Sequence, residues 1–272
     1  MLSFRSKRKH YKLLYADLDM INKRGQITIA VIIAIAIVGI VLVIFLFPGV
    51  NLFVSDVNPS SFLRKCIEPE VRDTLDVITR QGGYSQPTNY ITYEGDRIQF
   101  LCYTSDNYLP CVVQQPLLKQ HMEQEIKDRV SPVAVQCIRD LEEQYEKQGY
   151  TVERSPGELN VSFVPGNLVV EFLSPISVSK ETTQEFRKFA VNINSEMYEL
   201  IFIAQNIIAY ESEFGDSEIT LYVQLFPDIK VEKIKREGDT IYKLTNVVTD
   251  DRFTFASRSL VWPPGYAIEG TE

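Results

Sequence analysis

Twenty-one consecutive residues, Ile27 to Phe47, carry no charge, and only Thr28 and Gly39 break the row of apolar side chains. At about 1.5 Å per residue a helix of that length spans about 31 Å, the thickness of a bilayer's hydrocarbon core. Core helices of soluble proteins rarely go so far without a charge. A cleaved secretory signal has a shorter apolar region, about 7–15 residues, followed by a small-x-small cleavage site. Here the run ends in Phe45-Leu46-Phe47-Pro48-Gly49, a helix stop. The run therefore reads as a transmembrane helix, with the lipid bilayer as its first partner.

Orientation follows from the lysines and arginines. Arg5, Lys7, Arg8, Lys9, Lys12, Lys23 and Arg24 precede the run against Asp17 and Asp19, a net of +5, and the next basic residue is Arg64. The N-terminus is expected in the cytoplasm and the C-terminal part outside, as a single-pass cell membrane protein. With +5 in the tail, the −8 of the whole chain becomes −13 over residues 27–272. Nucleic-acid binding needs a basic footprint, so an exported part this acidic argues against it.

Lys23-Arg24-Gly25-Gln26-Ile27-Thr28-Ile29 resembles the processing site of archaeal class III signal peptides, found on type IV pilin-like and archaellin-like proteins. The resemblance implies a cut between Gly25 and Gln26 by a prepilin-type signal peptidase. It would leave the apolar helix as an anchor or as the packing core of a filament. Many pilins carry a glutamate near the fifth mature position, where this chain has Ala30, and their helix often runs on where this chain has Pro48-Gly49. Both differences favour the anchor. Further stretches, Gln81-Gly82-Gly83-Tyr84, Cys137 in its helix and Phe253-Thr254-Phe255-Ala256, are similar to an uncharacterised group of archaeal membrane-anchored proteins; that resemblance implies a location and no activity.

The pattern divides the chain into a basic tail or leader (1–25), the transmembrane helix (26–47), a connector (48–59), a helical subdomain with a β-hairpin and the cysteines (60–149), a β-rich subdomain with one helix (150–260) and a C-terminal tail (261–272). Leu63, Ile67, Val71, Leu75 and Ile78 mark an amphipathic helix ended by Gly82-Gly83, with Pro69 as a kink or a start. Residues 91–103 and 109–113 read as a hairpin around Asp106-Asn107. Leu118, Met122, Ile126 and Val130 open a second helical stretch that restarts at Ser131-Pro132 and continues through Val133, Cys137, Leu141 and Tyr145. Beyond Gly149 the period becomes two, with Pro165-Gly166-Asn167 as a turn between strands and 189–193 as a further strand. A helix is expected from Glu196 to about Glu213, capped by Ser195 and stopped by Gly215. Residues 219–226, 229–235, 240–244 and 253–256 then read as strands. Helices first and mostly antiparallel strands later give an α+β fold behind a transmembrane helix.

Cys66, Cys102, Cys111 and Cys137 all follow the apolar run. An even number in an oxidising compartment favours two disulfides, for which three pairings exist. With Asp106-Asn107 as a two-residue turn, Cys102 faces Cys111 at a non-hydrogen-bonded site, where side chains approach closest. Pro110 stands against this register, since it has no N–H for the ladder. Cys66–Cys137 remains, closing a loop of about 70 residues worth about 4 kcal/mol in the chain-entropy model. The spacings of 36, 9 and 26 residues lack the short pair of a zinc site.

Chemistry is sparse. His121 is the only histidine after the anchor and reads as an exposed surface residue. Ser177-Val178-Ser179-Lys180 fits S-x-x-K without the companion motifs of the acyl enzymes. Glu68, Glu70 and Asp73, or Asp250 and Asp251, read as solvated acidic faces without EF-hand spacing. Gln81-Gly82-Gly83-Tyr84 reads as a helix cap, and Trp262-Pro263-Pro264-Gly265-Tyr266 as a C-terminal stretch packed on the domain or a polyproline-type ligand. Asn160-Val161-Ser162 is a glycosylation sequon. No catalytic, metal or cofactor site is expected. The sequence points to a non-enzymatic surface protein that contacts envelope proteins or itself. The alternatives are a pilin-like subunit and, on the weak S-x-x-K match, an exported hydrolase.

Overall fold

The computed structural model describes residues 31–40, 58–155, 157–173 and 175–261. The chain forms two compact units, Met1–Asp56 and Val57–Glu272. In the first, residues 31–40 are helical (α1) with every side chain exposed. Among the described residues no helix is long and apolar enough to cross a membrane. Residues 27–30 and 41–47 of the expected span lie outside the described residues, as do Lys23, Arg24, Gly25 and Gln26, Pro48-Gly49 and residues 262–272.

The second unit runs α2 (Pro59–Arg80), β1 (Tyr90–Tyr93), β2 (Asp96–Tyr103), β3 (Val112–Val113), α3 (Leu118–Lys147), β4 (Thr151–Arg154), β5 (Glu158–Val164), β6 (Asn167–Leu173), β7 (Ile176–Ser179), β8 (Thr183–Phe186), β9 (Phe189–Asn194), α4 (Met197–Phe214), α5 (Thr220–Leu225), β10 (Ile229–Arg236), β11 (Asp239–Asn246) and β12 (Arg252–Arg258). It is an α+β fold with two disulfides.

Asn58 starts α2 by accepting the Ser60 and Ser61 N–H groups at 3.0 and 3.2 Å, and Pro59 supplies a first-turn residue that needs no acceptor. The helix carries Pro69 inside it, exposed, so it neither starts nor stops there. Gly83 ends it in a left-handed conformation (φ 91), with its N–H on the Ile78 carbonyl at 2.7 Å; a Cβ there would stand 3.0 Å from Met122 Cγ of α3. The restart expected at Ser131-Pro132 is absent, because α3 is one helix of 30 residues. Ser131 turns its hydroxyl back onto the Lys127 carbonyl at 2.6 Å instead of capping a new helix. The buried stripe of α3 runs unbroken through Leu118, Met122, Ile126, Val130, Ala134, Cys137, Leu141 and Tyr145.

Three sheets pack on these helices. The largest has the order β1-β2-β12-β11-β10, with β3 on β2; the others are β5-β6-β9 and β4-β7-β8. The β12–β2 pair is parallel, with Ala256 opposite Phe100, and the other pairs are antiparallel. Strands from both halves of the chain therefore share one sheet, and one apolar cluster runs from Leu63 and Ile67 to Phe253 and Phe255. Val57–Glu272 forms one compact unit, in which the segments on either side of Gly149 contribute to the same larger cluster.

Two further expectations change. The strand expected over 91–103 holds a tight turn at Glu94 (φ 52) and Gly95 (φ 95), making β1–β2 the hairpin, with Tyr93 opposite Asp96. Residues 219–226 do not form a strand but contain α5. Ile219, Tyr222 and Phe226 face the core at spacings of three and four, which a helical turn satisfies and an alternating strand does not. The β7–β8 hairpin and β4 were not foreseen in the sequence.

Candidate binding site

The structure pairs Cys66 with Cys137 and Cys102 with Cys111, leaving no free cysteine. The first bond joins α2 to α3. The second does not arise from the expected register. Cys102 pairs across the ladder with Val113, and Tyr103 with Val112. Pro110, with no N–H to give, falls in a loop before the ladder, and Cys111 reaches Cys102 from just outside it with Cα atoms 5.3 Å apart.

The weak catalytic motifs dissolve in place. Ser177 lies on β7 opposite Glu185, so Lys180, three residues on, cannot share its side as it would on a helix. Lys180 instead donates to the Gln148 carbonyl at 3.1 Å and stands 5.0 Å from the Tyr150 ring centre. Glu68 is held between Arg64 and Arg72, which lower its pKa, Arg72 most. Asp250 pairs with Arg252, while Asp251 accepts the Glu196 N–H at 2.6 Å. No group of three metal-ligating side chains occurs among the described residues. Asn160 sits half-buried in the middle of β5 opposite Glu171.

His121 is not the exposed residue expected. Its ring lies 4.1 Å from that of Tyr84, and Nε2 is buried without a hydrogen bond, 3.8 Å from Glu125 Oε1. Burial pushes its pKa below the ordinary histidine value, against the opposing effects of Glu125 and a backbone hydrogen bond at Gly83.

A larger omission lies under α4. Glu211 is 1% exposed and accepts from the Tyr242 hydroxyl, the Ser217 N–H at 3.1 Å and the Ser257 hydroxyl at 3.1 Å. Burial raises its pKa despite those donors and Lys233, and burial with Glu211 beside it raises that of Tyr242. Nearby, Lys233 donates to Asp216 and to the Ser217 carbonyl. This cluster is closed to solvent at Glu211 and Tyr242 and ties α4 to the sheet; no substrate reaches it.

Two surface features remain. A groove of about 320 Å³ crosses the outer face of the large sheet, over the small cluster of Ile98, Phe100, Ile241 and Ala256. Its charges neutralise one another: Arg80 with Asp96, Lys243 with Glu94, and Lys230 with Glu232. The second is on α4. Tyr198 (38% exposed), Phe202 (52%), Tyr210 (41%) and Phe214 (53%) follow one another at multiples of four, with exposed Leu221, Val223 and Leu225 of α5 in the same segment. At the start of this row Tyr198, Phe202, Phe226 and Pro165 line a cleft of about 370 Å³ edged by Glu196 and Glu199. Burial, with Glu196 and Asp228 nearby, raises the Glu199 pKa. Among the described residues no ion pair neutralises Glu196, Glu199 or Asp228. Of the two surfaces, only this one keeps unmet charge and exposed rings together.

No protein-family model, curated protein or solved structure matches the chain. Function must be read from these surfaces.

Proposed function

We propose that the protein is a single-pass, membrane-anchored surface protein and that its C-terminal unit is a non-enzymatic binding module. In this reading Ile27–Phe47 spans the bilayer, the basic tail stays in the cytoplasm, and Val57–Glu272 faces outside. Two disulfides and no free thiol suit an oxidising compartment. The observation that carries the binding role is the aromatic row of α4. A surface helix normally buries its rings and exposes its charges, whereas Tyr198, Phe202, Tyr210 and Phe214 stand in solvent at regular spacing. Removal of a leader after Gly25 and glycan attachment at Asn160 belong to the same proposal.

Topology is testable on intact cells with a membrane-impermeant lysine reagent and peptide mapping. Lys147, Lys188 and Lys230, exposed on the domain, should be labelled on intact cells as fully as after lysis. Labelling of these lysines only after lysis overturns the orientation. Mass spectrometry of the mature N-terminus should find Gln26; a chain starting at Met1 rejects the cleavage. Sedimentable filaments in a detergent-free shear fraction would replace the anchor with the pilin-like subunit.

A further inference from the structure

We propose that the cleft at the start of α4 takes the lysine or arginine side chain of a partner protein, borne on an apolar segment that continues along the aromatic row. This deepens the binding role proposed above and rests on it. The argument is one of charge against shape. In the outer-sheet groove, lysines and arginines are matched by neighbouring carboxylates. At the cleft Glu196 and Glu199 stand at the edge with Asp228 close enough to act on Glu199, and no cation answers them among the described residues. The rings of Tyr198, Phe202 and Phe226 line the same cleft.

A carboxylate rim around aromatic faces is the arrangement that holds a cation twice, by charge and through the rings' negative faces. An anion would be repelled. A neutral apolar group would leave the carboxylates partly desolvated without a counter-charge. A lysine or arginine stem packs on rings while its head meets the rim. From Tyr198 the rings of Phe202, Tyr210 and Phe214 follow over about 24 Å of helix, each four-residue step turning about 40° round the axis, so an apolar segment beside the basic residue crosses the helix obliquely.

A competing explanation is that Glu199 merely favours the positive end of the helix, in whose first turn it lies. The two explanations separate by experiment. Full-length protein in detergent micelles is titrated into peptides that carry fluorescein on the N-terminal amine, are amidated at the C-terminus and differ only in their second residue: Leu-Arg-Leu-Phe, Leu-Gln-Leu-Phe and Leu-Glu-Leu-Phe. Polarisation should show the arginine peptide binding saturably, at least tenfold tighter than the glutamate peptide, and weakening as salt rises. The pair Glu196→Gln and Glu199→Gln should weaken the arginine peptide at least fivefold while leaving the glutamine peptide unchanged. Phe202→Ala should weaken all three. Far-UV circular dichroism and a non-reducing peptide map confirm that the variants fold.

Equal affinity for all three peptides, with Phe202→Ala still weakening them, overturns the cation site and leaves the docking surface standing. No saturable binding of the arginine peptide up to 2 mM, or no effect of the paired glutamine substitutions, also overturns it. A dimer on sizing that excludes the peptide makes a second copy the occupant and overturns assignment to another protein. The topology of the anchor is tested separately by lysine labelling, so neither result is confused with the other.

Discussion

Replacing Glu211 by leucine removes an acceptor shared by three donors and should be among the most costly single substitutions in the domain. The side chain is 1% exposed, and leucine fills a similar volume, so a void is a small part of the effect. Three donors lose their acceptor: the Tyr242 hydroxyl, the Ser217 N–H and the Ser257 hydroxyl. Ser257 can turn toward Cys111 Sγ at 3.7 Å, which leaves two donors stranded. Each stranded buried donor costs about 1–3 kcal/mol, and relief of the buried carboxyl returns part of it, so the net loss at neutral pH should be about 2–4 kcal/mol. The Glu211 pKa is raised in the folded state, so its contribution is full below the ordinary carboxylate range and declines as pH rises through the folded value. Leucine does not titrate, so the gap between wild type and variant should widen on acidification. Urea unfolding followed by far-UV circular dichroism at pH 7 and pH 4.5 measures both quantities. A loss below about 1 kcal/mol at pH 7, or a gap that narrows toward pH 4.5, would refute the reasoning.

The remaining predictions concern the staples, a glycine and the buried histidine. Replacing Cys66 and Cys137 by alanine opens a loop with a separation of 71 and should cost about 4 kcal/mol; replacing Cys102 and Cys111 opens one of 9 and should cost about 3 kcal/mol, with cavity terms added to both. Urea midpoints should preserve that order, and a Cys66–Cys102 peptide in a non-reducing digest would contradict the fold. Gly215→Ala should lower the melting temperature more than Gly95→Ala. Both glycines have positive φ, but a Cβ at 215 would meet Val261 Cγ2 at 2.1 Å, whereas at 95 nothing lies within 4 Å; equal shifts would disprove the clash. The His121 pKa is depressed, so its stabilisation is present above the ordinary histidine value and fades as pH falls through the folded one. His121→Leu should flatten the fall in melting temperature between pH 7.5 and 5, and an unchanged slope would place the titration elsewhere.

Much of the second unit was legible because its turns are written in local chemistry. Gly82-Gly83, Pro165-Gly166-Asn167 and Gly215 each punctuate the chain where the sequence places a break. What failed was whatever depended on distant partners. Residues 219–226 alternate like a strand, yet three inward positions at helical spacing decide for α5. Glu211 reads as the polar side of a helix, because its partners Tyr242 and Ser257 lie 31 and 46 residues further on. The aromatic row had a readable signal. Tyr198, Phe202, Tyr210 and Phe214 are apolar positions left over once the core stripe of α4 is assigned, and a helix apolar on more than one side needs a second cover.

The parallel pairing of β2 with β12 bears on when the unit can finish folding. Until Arg252–Arg258 of β12 has been made, β2 keeps an unsatisfied edge. The loop after β2 is likewise incomplete, since Thr104, Tyr108 and Cys111 donate to Arg258, Leu260 and Ser259. A pairing this distant in sequence closes late and slowly. The unit thus stays open along β2 for most of its synthesis, and it locks only when its last strand arrives.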